Sequence, residues 1–461
     1  MMENSAYQAL AGKKVAFLSL GCKVNSYETD RMREQFASAG AHICDFETPG
    51  ADVVIINTCS VTNIADRKSR QMLHRARRLS PDALIVATGC YAQALGEAVV
   101  SSQDADLSIG NGLKNDILNK VCEAISEKAC FSDGSFAETE ENPDNICLSD
   151  HTRAFIKIQD GCDQFCSYCI IPYVRGRVSS RPEKDVLDEI ERMAGAGFKE
   201  VVLTGIHLSS YGIDRYEYAA QNGFDSKPLL ELVKKASDID GIKRIRLGSL
   251  EPRIITEEFA YELAKLDKFC PQFHLSLQSG SDAVLKRMNR HYTTDDYLKS
   301  VEILERAFEY PAITTDIIVG FPSESEEEFE QTLAFAEKIG FLKIHVFKYS
   351  RRKGTKADEM PGQTDERIKT QRSERLLKTD ALNRKNYLSR FINTDTDVLF
   401  EQIMEEKGHR FLKGLTDRYA EVIVEPEAEE ADAKELINDI RRCHICRLGS
   451  DGILYAKLMD L

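Results

Sequence analysis

Cys162, Cys166 and Cys169 fall within Gly161-Cys162-Asp163-Gln164-Phe165-Cys166-Ser167-Tyr168-Cys169, a C-x3-C-x2-C spacing. The loop follows an apolar-alternating run, Ala154, Ile156 and Ile158. A structural zinc ion closes on four ligands, usually as two paired knuckles, whereas this loop offers three thiols with no fourth Cys or His beside them. A distorted knuckle, or three reduced core cysteines, is the plainer alternative. The ligand arithmetic suits instead a [4Fe–4S] cluster with one iron left without a protein ligand. A small molecule could chelate that iron through an amine and a carboxylate.

A second set of three thiols is spread more widely. Cys22 comes four residues after Leu18, Cys59 three after Ile56 and Cys90 four after Val86. Each follows a short apolar run (Val15–Leu18, Val53–Ile56, Ala83–Val86) of the kind that forms buried parallel strands. In an open parallel sheet the carboxyl ends of the strands share one edge, where ligands bind. The three thiols could therefore converge on a second cluster, the alternative being small cysteines that decorate strand ends by chance.

The elements that must position these residues read as α/β throughout. An amino-terminal open α/β domain is expected over 11–128, with helices at Asn25–Ala39 and Ile64–Leu79, followed by a polar linker at 129–150. Residues 151–390 read as a partial (β/α)6 barrel with a helical extension. Its strands are expected at Ala154–Gln159, Glu200–Thr204, Ile242–Leu247, Phe273–Leu277, Ile313–Val319 and Lys343–Tyr349. Its helices are expected at Glu183–Ala196, Lys227–Ser237, Thr294–Phe308 and Glu324–Ile339. Residues 391–461 carry five short strand signals, Thr396–Phe400, Phe411–Thr416, Ala420–Val424, Arg442–Leu448 and Ile453–Leu458, with breaks at Gly408 and Gly449-Ser450, and read as a small β-barrel. Cys443-x2-Cys446 with His444 lacks a second ligand pair nearby and reads as strand packing.

Composition narrows the class. At 461 residues two to four domains are expected. No run is long enough to span a bilayer and the first residues lack a signal-peptide stretch, so a cytoplasmic protein with 13 reduced cysteines is expected. The net charge of −14 has the wrong sign for a simple polyanion binder, which confines any nucleic-acid contact to local basic patches.

The cluster loop, with Tyr168 just before its last cysteine, resembles the signature loop of the radical S-adenosylmethionine (SAM) enzymes. In such a barrel, functional residues gather at the carboxyl ends of the strands, beside that loop. Thr204 and Gly205 end the second strand, Ser249 and Glu251 follow the third, Gln278 follows the fourth, Val319 and Gly320 end the fifth, and Phe347 lies on the sixth. Glu251 could accept from a ligand ammonium, Ser249 and Gln278 could address a carboxylate or ribose, and Phe347 could flank an adenine. Each is weak alone; together with Tyr168 they form a candidate SAM pocket.

Basic runs supply candidate RNA contacts. Arg67, Arg70 and Arg75 fall on the helix after Cys59, and Arg175, Arg177 and Arg181 follow the cluster loop. From Asp365 to Arg390 eight basic residues stand against four acidic, a further candidate surface or simply a solvated helix. The last segment, from Phe391, carries nine Lys or Arg against sixteen Asp or Glu, 9 − 16 = −7, and is poorly suited to holding phosphates.

Over residues 13 to 460 the chain resembles the methylthiotransferases, a radical SAM family with an amino-terminal cluster domain and a carboxyl-terminal TRAM β-barrel. Leu20-Gly21-Cys22-Lys23-Val24-Asn25, Asn57-Thr58-Cys59-Ser60-Val61-Thr62-Asn63, Thr88-Gly89-Cys90-Tyr91 and Thr204–Gly212 resemble the branch that modifies N6-threonylcarbamoyladenosine in tRNA. The resemblance implies two [4Fe–4S] clusters, one on Cys162, Cys166 and Cys169 and one on Cys22, Cys59 and Cys90. It implies SAM as both radical source and methyl donor, and insertion of a methylthio group at C2 of the adenosine at position 37, in the anticodon stem-loop. An external electron donor and a sulfur source are needed as well. The competing readings are another substrate (isopentenyladenosine in tRNA, or a ribosomal-protein aspartate) and a zinc-stabilised RNA-binding protein.

Overall fold

The computed structural model describes residues 7–129, 152–215, 225–406, 409–424 and 434–459. The linker expected at 129–150 falls outside these residues except for its first position, as do Cys130, Cys147 and the break expected at Gly408. The chain divides into two compact units. The first comprises residues 1–150, 169–177 and 350–354; the second comprises 151–168, 178–349 and 355–461, the carboxyl-terminal barrel included.

The first unit is built on a parallel five-stranded sheet of order β2-β1-β3-β4-β5, with β1 Lys14–Ser19, β2 His42–Cys44, β3 Val53–Thr58, β4 Leu84–Gly89 and β5 Leu107–Ile109. The three apolar runs form its centre, and the sequence gives no comparable signal for the three-residue edge strands β2 and β5. Side chains alternate across the sheet with period two. Ala16, Val54, Ile56, Ile85 and Ala87 pack under Leu73 and Ala76 of the helix Asn63–Leu79. Val15, Phe17, Val53, Ile55 and Val86 pack on the opposite face, with Phe36 of the helix Lys23–Ser38 and Val121 of the helix Ile117–Ala129. The helix Asn63–Leu79 starts where Thr62 accepts from the Ala65 amide, a cap for an otherwise unpaired donor.

In the second unit six parallel strands run in sequence order, Arg153–Asp160, Glu200–Gly205, Arg244–Leu247, Gln272–Leu275, Ala312–Val319 and Lys343–Lys348. The third strand continues past Gly248 as Ser249–Leu250, which pairs with the fourth. Helices Glu183–Gly195, Lys227–Ser237, Thr294–Ala307 and Glu326–Ile339 cover the outside and enclose one apolar core with the outward-facing strand residues. The last of these helices begins at Glu326 rather than Glu324, because Ser325 and Glu328 close a reciprocal capping box.

The carboxyl-terminal segment closes into a five-stranded barrel, Asp395–Glu406, His409–Thr416, Glu421–Val424, Ile440–Leu448 and Leu454–Leu458. Cys443 is fully buried in its core while Cys446 is exposed, so the two thiols face opposite ways and form no knuckle. This barrel also stops the amino-terminal mouth of the larger one. Arg244 donates to Leu415 O (3.0 Å) and Asp397 O (2.7 Å), and Arg246 donates to Asp417 O (2.8 Å) with the Tyr419 ring 4.6 Å from its guanidinium. Arg246 also pairs with the buried Glu200 at 2.9 Å, and Arg153 with Glu401 at 2.7 Å.

Candidate active site

In the first unit, pairing of Thr58 with Gly89 sets Cys59 and Cys90 level with one another, each one residue beyond its strand. Cys22 stands at the N-cap position of the helix Lys23–Ser38, at the same sheet edge, and its thiol makes no capping bond. The residues before Cys22 and Cys90 have to be glycine. Gly21, at φ +102°, would place a Cβ 2.8 Å from Cys59 Sγ, and Gly89, at φ +93°, would place one 2.4 Å from Thr58 O. Burial pushes the Cys59 thiol up to about 11, and Cys90 and Cys22 push the same way, against a hydrogen bond from the Val61 backbone and the charge of Arg175. Burial of Cys59 with two further thiols at the same sheet edge suits a cationic iron–sulfur core, whose charge offsets the cost of a buried thiolate.

A network behind this site escapes sequence reading. Glu28 and Lys114 are buried and paired, and Lys114 also donates to Asn57 Oδ1 at 3.0 Å. Arg175 donates to Glu28 Oε1 at 3.0 Å and to Asn25 Oδ1 at 2.6 Å. Asn25 in turn donates to Leu20 O and Thr58 O, tying together the two cysteine-bearing turns. Asn111 Nδ2 stands 3.8 Å from Cys90 Sγ and donates to Val174 O at 2.8 Å. None of these polar positions carries a spacing that betrays it. Arg175 corrects an expectation: its side chain is 1% exposed and serves this network, not an RNA phosphate.

In the second unit Cys162 and Cys166 lie on the loop after the first barrel strand; Cys169, three residues on, belongs to the segment assigned to the first unit. The loop is pinned from below. Ser167 N donates to Met288 O at 3.0 Å, and Asn289 Nδ2 donates to Phe165 O at 3.1 Å. Arg290, which the sequence did not single out, donates to Cys166 Sγ at 3.2 Å and to Tyr292 Oη at 3.1 Å. Burial pushes the Cys162 thiol up to about 11 and Cys166 adds to this, against a hydrogen bond from the Gln164 backbone and the charge of Arg290. Cys166 thus has a cation beside it.

The expected SAM residues separate on inspection. Glu251 is buried; His207 Nε2 lies 3.1 Å from its Oε2, Arg253 Nε donates to its Oε1 and Ser209 Oγ accepts from its amide. Burial opposes its charge, but the bonds from His207 and Arg253 and the charge of Arg290 outweigh this and hold it down to about 2. Gln159 Oε1 accepts from the His207 amide at 2.8 Å and leaves no room for a Cβ at Gly205. Thr204 is buried and Ser249 exposed. Gln278 sits at φ +69° with its amide and carbonyl paired to Asp316 and Ile318, a sparsely populated backbone conformation at a strand end. Tyr168 packs edge-on against Phe321, 6.5 Å between ring centroids. Phe347 is exposed. Val319 corrects another expectation: its side chain lies in the core under the helices, so only its backbone can face a ligand. Gly320 abuts Lys369 and donates to Glu324 Oε2 at 2.6 Å.

Among the expected RNA contacts, Arg67, Arg70 and Arg177 are exposed. Arg75 pairs with Glu47, and Arg181 with Glu189. On the helix Glu366–Leu388, Arg372 is buried against Glu324 and Glu326, and Arg375 pairs with Glu326 and Glu330. Two of the eight basic residues between Asp365 and Arg390, Arg372 and Arg375, are thus paired within the fold.

An open six-stranded barrel with two cysteines on the loop after its first strand, and a third three residues on, defines the radical SAM class. The Radical SAM superfamily profile matches residues 156–336, and that of the uncharacterized protein family UPF0004 matches 14–110. A threonylcarbamoyladenosine tRNA methylthiotransferase from Bacillus subtilis is 40% identical over 89% of this chain and 90% of its own length. Its counterpart from Aquifex aeolicus is 39% identical over 89% and 96%. A tRNA-2-methylthio-N(6)-dimethylallyladenosine synthase from Caldicellulosiruptor saccharolyticus is 36% identical over 81% and 80%. A radical SAM methyltransferase from Kitasatospora setae, solved with cobalamin and a [4Fe–4S] cluster, shares the fold with a TM-score of 0.54 at 16% identity, covering 75% of this chain and 77% of that one. The chain belongs to the radical SAM tRNA methylthiotransferase family, as the cysteine motifs lead one to expect, and resembles its threonylcarbamoyladenosine branch. No helix among the described residues is long and apolar enough to cross a membrane.

Proposed function

We propose that this protein inserts a methylthio group at C2 of N6-threonylcarbamoyladenosine, at position 37 of tRNA. The observation that carries the reading is the pairing of two three-thiol sets in one chain, Cys22, Cys59 and Cys90 at a parallel sheet edge and Cys162, Cys166 and Cys169 after a barrel strand. Each set falls one ligand short of a closed site. The relatives that bear threonylcarbamoyladenosine in their names favour that substrate.

Cys162, Cys166 and Cys169 would hold one [4Fe–4S] cluster and Cys22, Cys59 and Cys90 the other. Bound there, the first supplies an electron to the sulfonium of SAM and the second a site for sulfur. The chain's own residues do the rest. Glu251, ionised and oriented by His207 and Arg253, accepts from the SAM ammonium. Arg290 sets a fixed positive charge 3.2 Å from Cys166 Sγ. Asn111 and the Arg175–Glu28–Lys114 network hold the turns around Cys59 and Cys90. Exposed Arg67 and Arg70 meet RNA phosphates, which suits an anticodon loop whose bases are splayed out.

Two measurements test this. Anaerobic reconstitution is expected to give about eight irons per chain. Nucleoside analysis of tRNA is expected to show 2-methylthio-N6-threonylcarbamoyladenosine in cells that carry the protein and its loss in cells that do not. A colourless zinc protein, or unchanged nucleosides, would refute the reading.

A further inference from the structure

Inside the barrel of the second unit, alternate residues of the fourth, fifth and sixth strands turn away from the helices. Phe273, Leu275, Ile313, Ile317 and Ile344 enter the core beneath the helices, which directs His274, Asp316 and His345 to the lumen. Strand register brings the three together: His274 is level with Thr314, and Asp316 with His345. His274 Nε2 lies 3.2 Å from Asp316 Oδ2, its Nδ1 lies 3.0 Å from Thr314 Oγ1, and its ring centroid is 5.8 Å from that of His345. Below them the lumen is stopped by Arg246, Glu200 and Tyr419. Above them, Phe347 presents an exposed ring two residues beyond His345 on the same strand face.

Two imidazoles and a carboxylate are a poor lining for an apolar group, which offers their remaining polar atoms no partner. Burial holds His345 below its ordinary value; His274 and Lys343 act the same way, and Asp316 and Asp380 oppose them. At neutral pH His345 therefore offers an uncharged ring, one nitrogen a donor and the other an acceptor. The family's relatives divide between two N6 substituents. A threonylcarbamoyl group carries N–H and hydroxyl donors with carbonyl and carboxylate acceptors; a dimethylallyl group carries no polar atom.

We propose that His274, Asp316 and His345 form the subsite that receives a polar N6 substituent of the target adenosine, an inference that rests on the function proposed above and adds which residues select the substrate. His345 donates to the carboxylate or carbonyl of the substituent, and Asp316, oriented by His274, accepts from its hydroxyl or N–H. Phe347 supplies a face for the purine. A site built to hydrogen-bond a substrate rejects an analogue that lacks those groups by about 10⁴–10⁵.

The test uses reconstituted full-length protein and two synthetic anticodon stem-loops, one bearing threonylcarbamoyladenosine and one isopentenyladenosine. Product is read by mass spectrometry, and iron content is measured for every variant as a folding control. Wild-type protein is expected to prefer the first stem-loop. His345→Leu and Asp316→Asn are expected to raise its KM about 10–100-fold and to narrow the preference, and His345→Gln to recover part of the loss. Unchanged KM and preference in both variants, with wild-type protein active on the first stem-loop, would overturn the subsite alone. Stoichiometric zinc or manganese lost on His345→Leu would also overturn it, in favour of a cation site. Wild-type protein that modifies only the isopentenyl stem-loop would overturn the proposed function, and the subsite with it.

Discussion

Replacing Arg246 by methionine tests the floor of the large barrel. Arg246 and Glu200 are both fully buried and 2.9 Å apart, and Arg246 also serves the Asp417 carbonyl at 2.8 Å. Removing one partner of a buried pair costs about 3–5 kcal/mol, because the remaining charge stays buried. Arg244, 3.7 Å from Glu200, keeps part of the compensation, which points to the lower end, about 3 kcal/mol. For a unit of this size that is a fall in Tm of about 6 °C. The pH dependence follows from the sign of the Glu200 shift. Burial raises its pKa, but Arg246, Arg244 and Arg153 outweigh this and hold it below the usual carboxylate value. The pair thus contributes stability that is present above the unfolded-state pKa and lost as pH falls through the depressed one. Without Arg246 burial dominates and the Glu200 pKa climbs above its unfolded value. The deficit of the variant should then be greatest at about pH 7.5 and shrink towards about pH 5. The assay is thermal and urea unfolding of anaerobically prepared protein, followed by circular dichroism at both pH values. Arg246→Met with Glu200→Gln should recover more than half of the loss, since no bare charge remains. A single variant within about 0.5 kcal/mol of wild type, or a deficit that does not change with pH, refutes the reasoning.

Three other outcomes are expected. Cys59→Ala should lower the iron content from about eight to about four per chain and abolish methylthio formation; wild-type levels of either would sink the second cluster. Glu251→Gln should weaken SAM binding in calorimetry by about tenfold or more, the scale of hydrogen bonds to a charged group. Because Glu251 is held down to about 2, its charge is lost only as pH falls towards that value, and wild-type SAM affinity should be flat across neutral pH; a step there would count against its role. Arg67→Glu with Arg70→Glu should weaken tRNA binding and reduce the slope of log affinity against log salt by about 1.4–1.8, whereas an unchanged slope removes that helix from the RNA surface.

How far the sequence could be read depended on the kind of signal. The strands of the first sheet announced themselves as apolar runs, and fixed offsets from those runs gave the edge on which Cys22, Cys59 and Cys90 stand. The barrel strands were equally plain, and helix starts erred by a residue or two where a cap decides, as at Ser325. Arginines were read least well. Exposed and buried arginines look alike in a sequence, and only packing shows that Arg175 answers Glu28, that Arg372 answers Glu324 and that Arg290 reaches Cys166. The lumen triad is hidden in the sequence for a related reason. His274, Asp316 and His345 lie on three strands and share no spacing, so only strand register brings them together.

The turn that stops the amino-terminal mouth of the barrel, Thr416 to Ala420, makes the lumen a blind well, not a tunnel. Whatever enters past the strand ends must leave by the same route. An occupant of the lumen would therefore have to leave past the strand ends before another could enter.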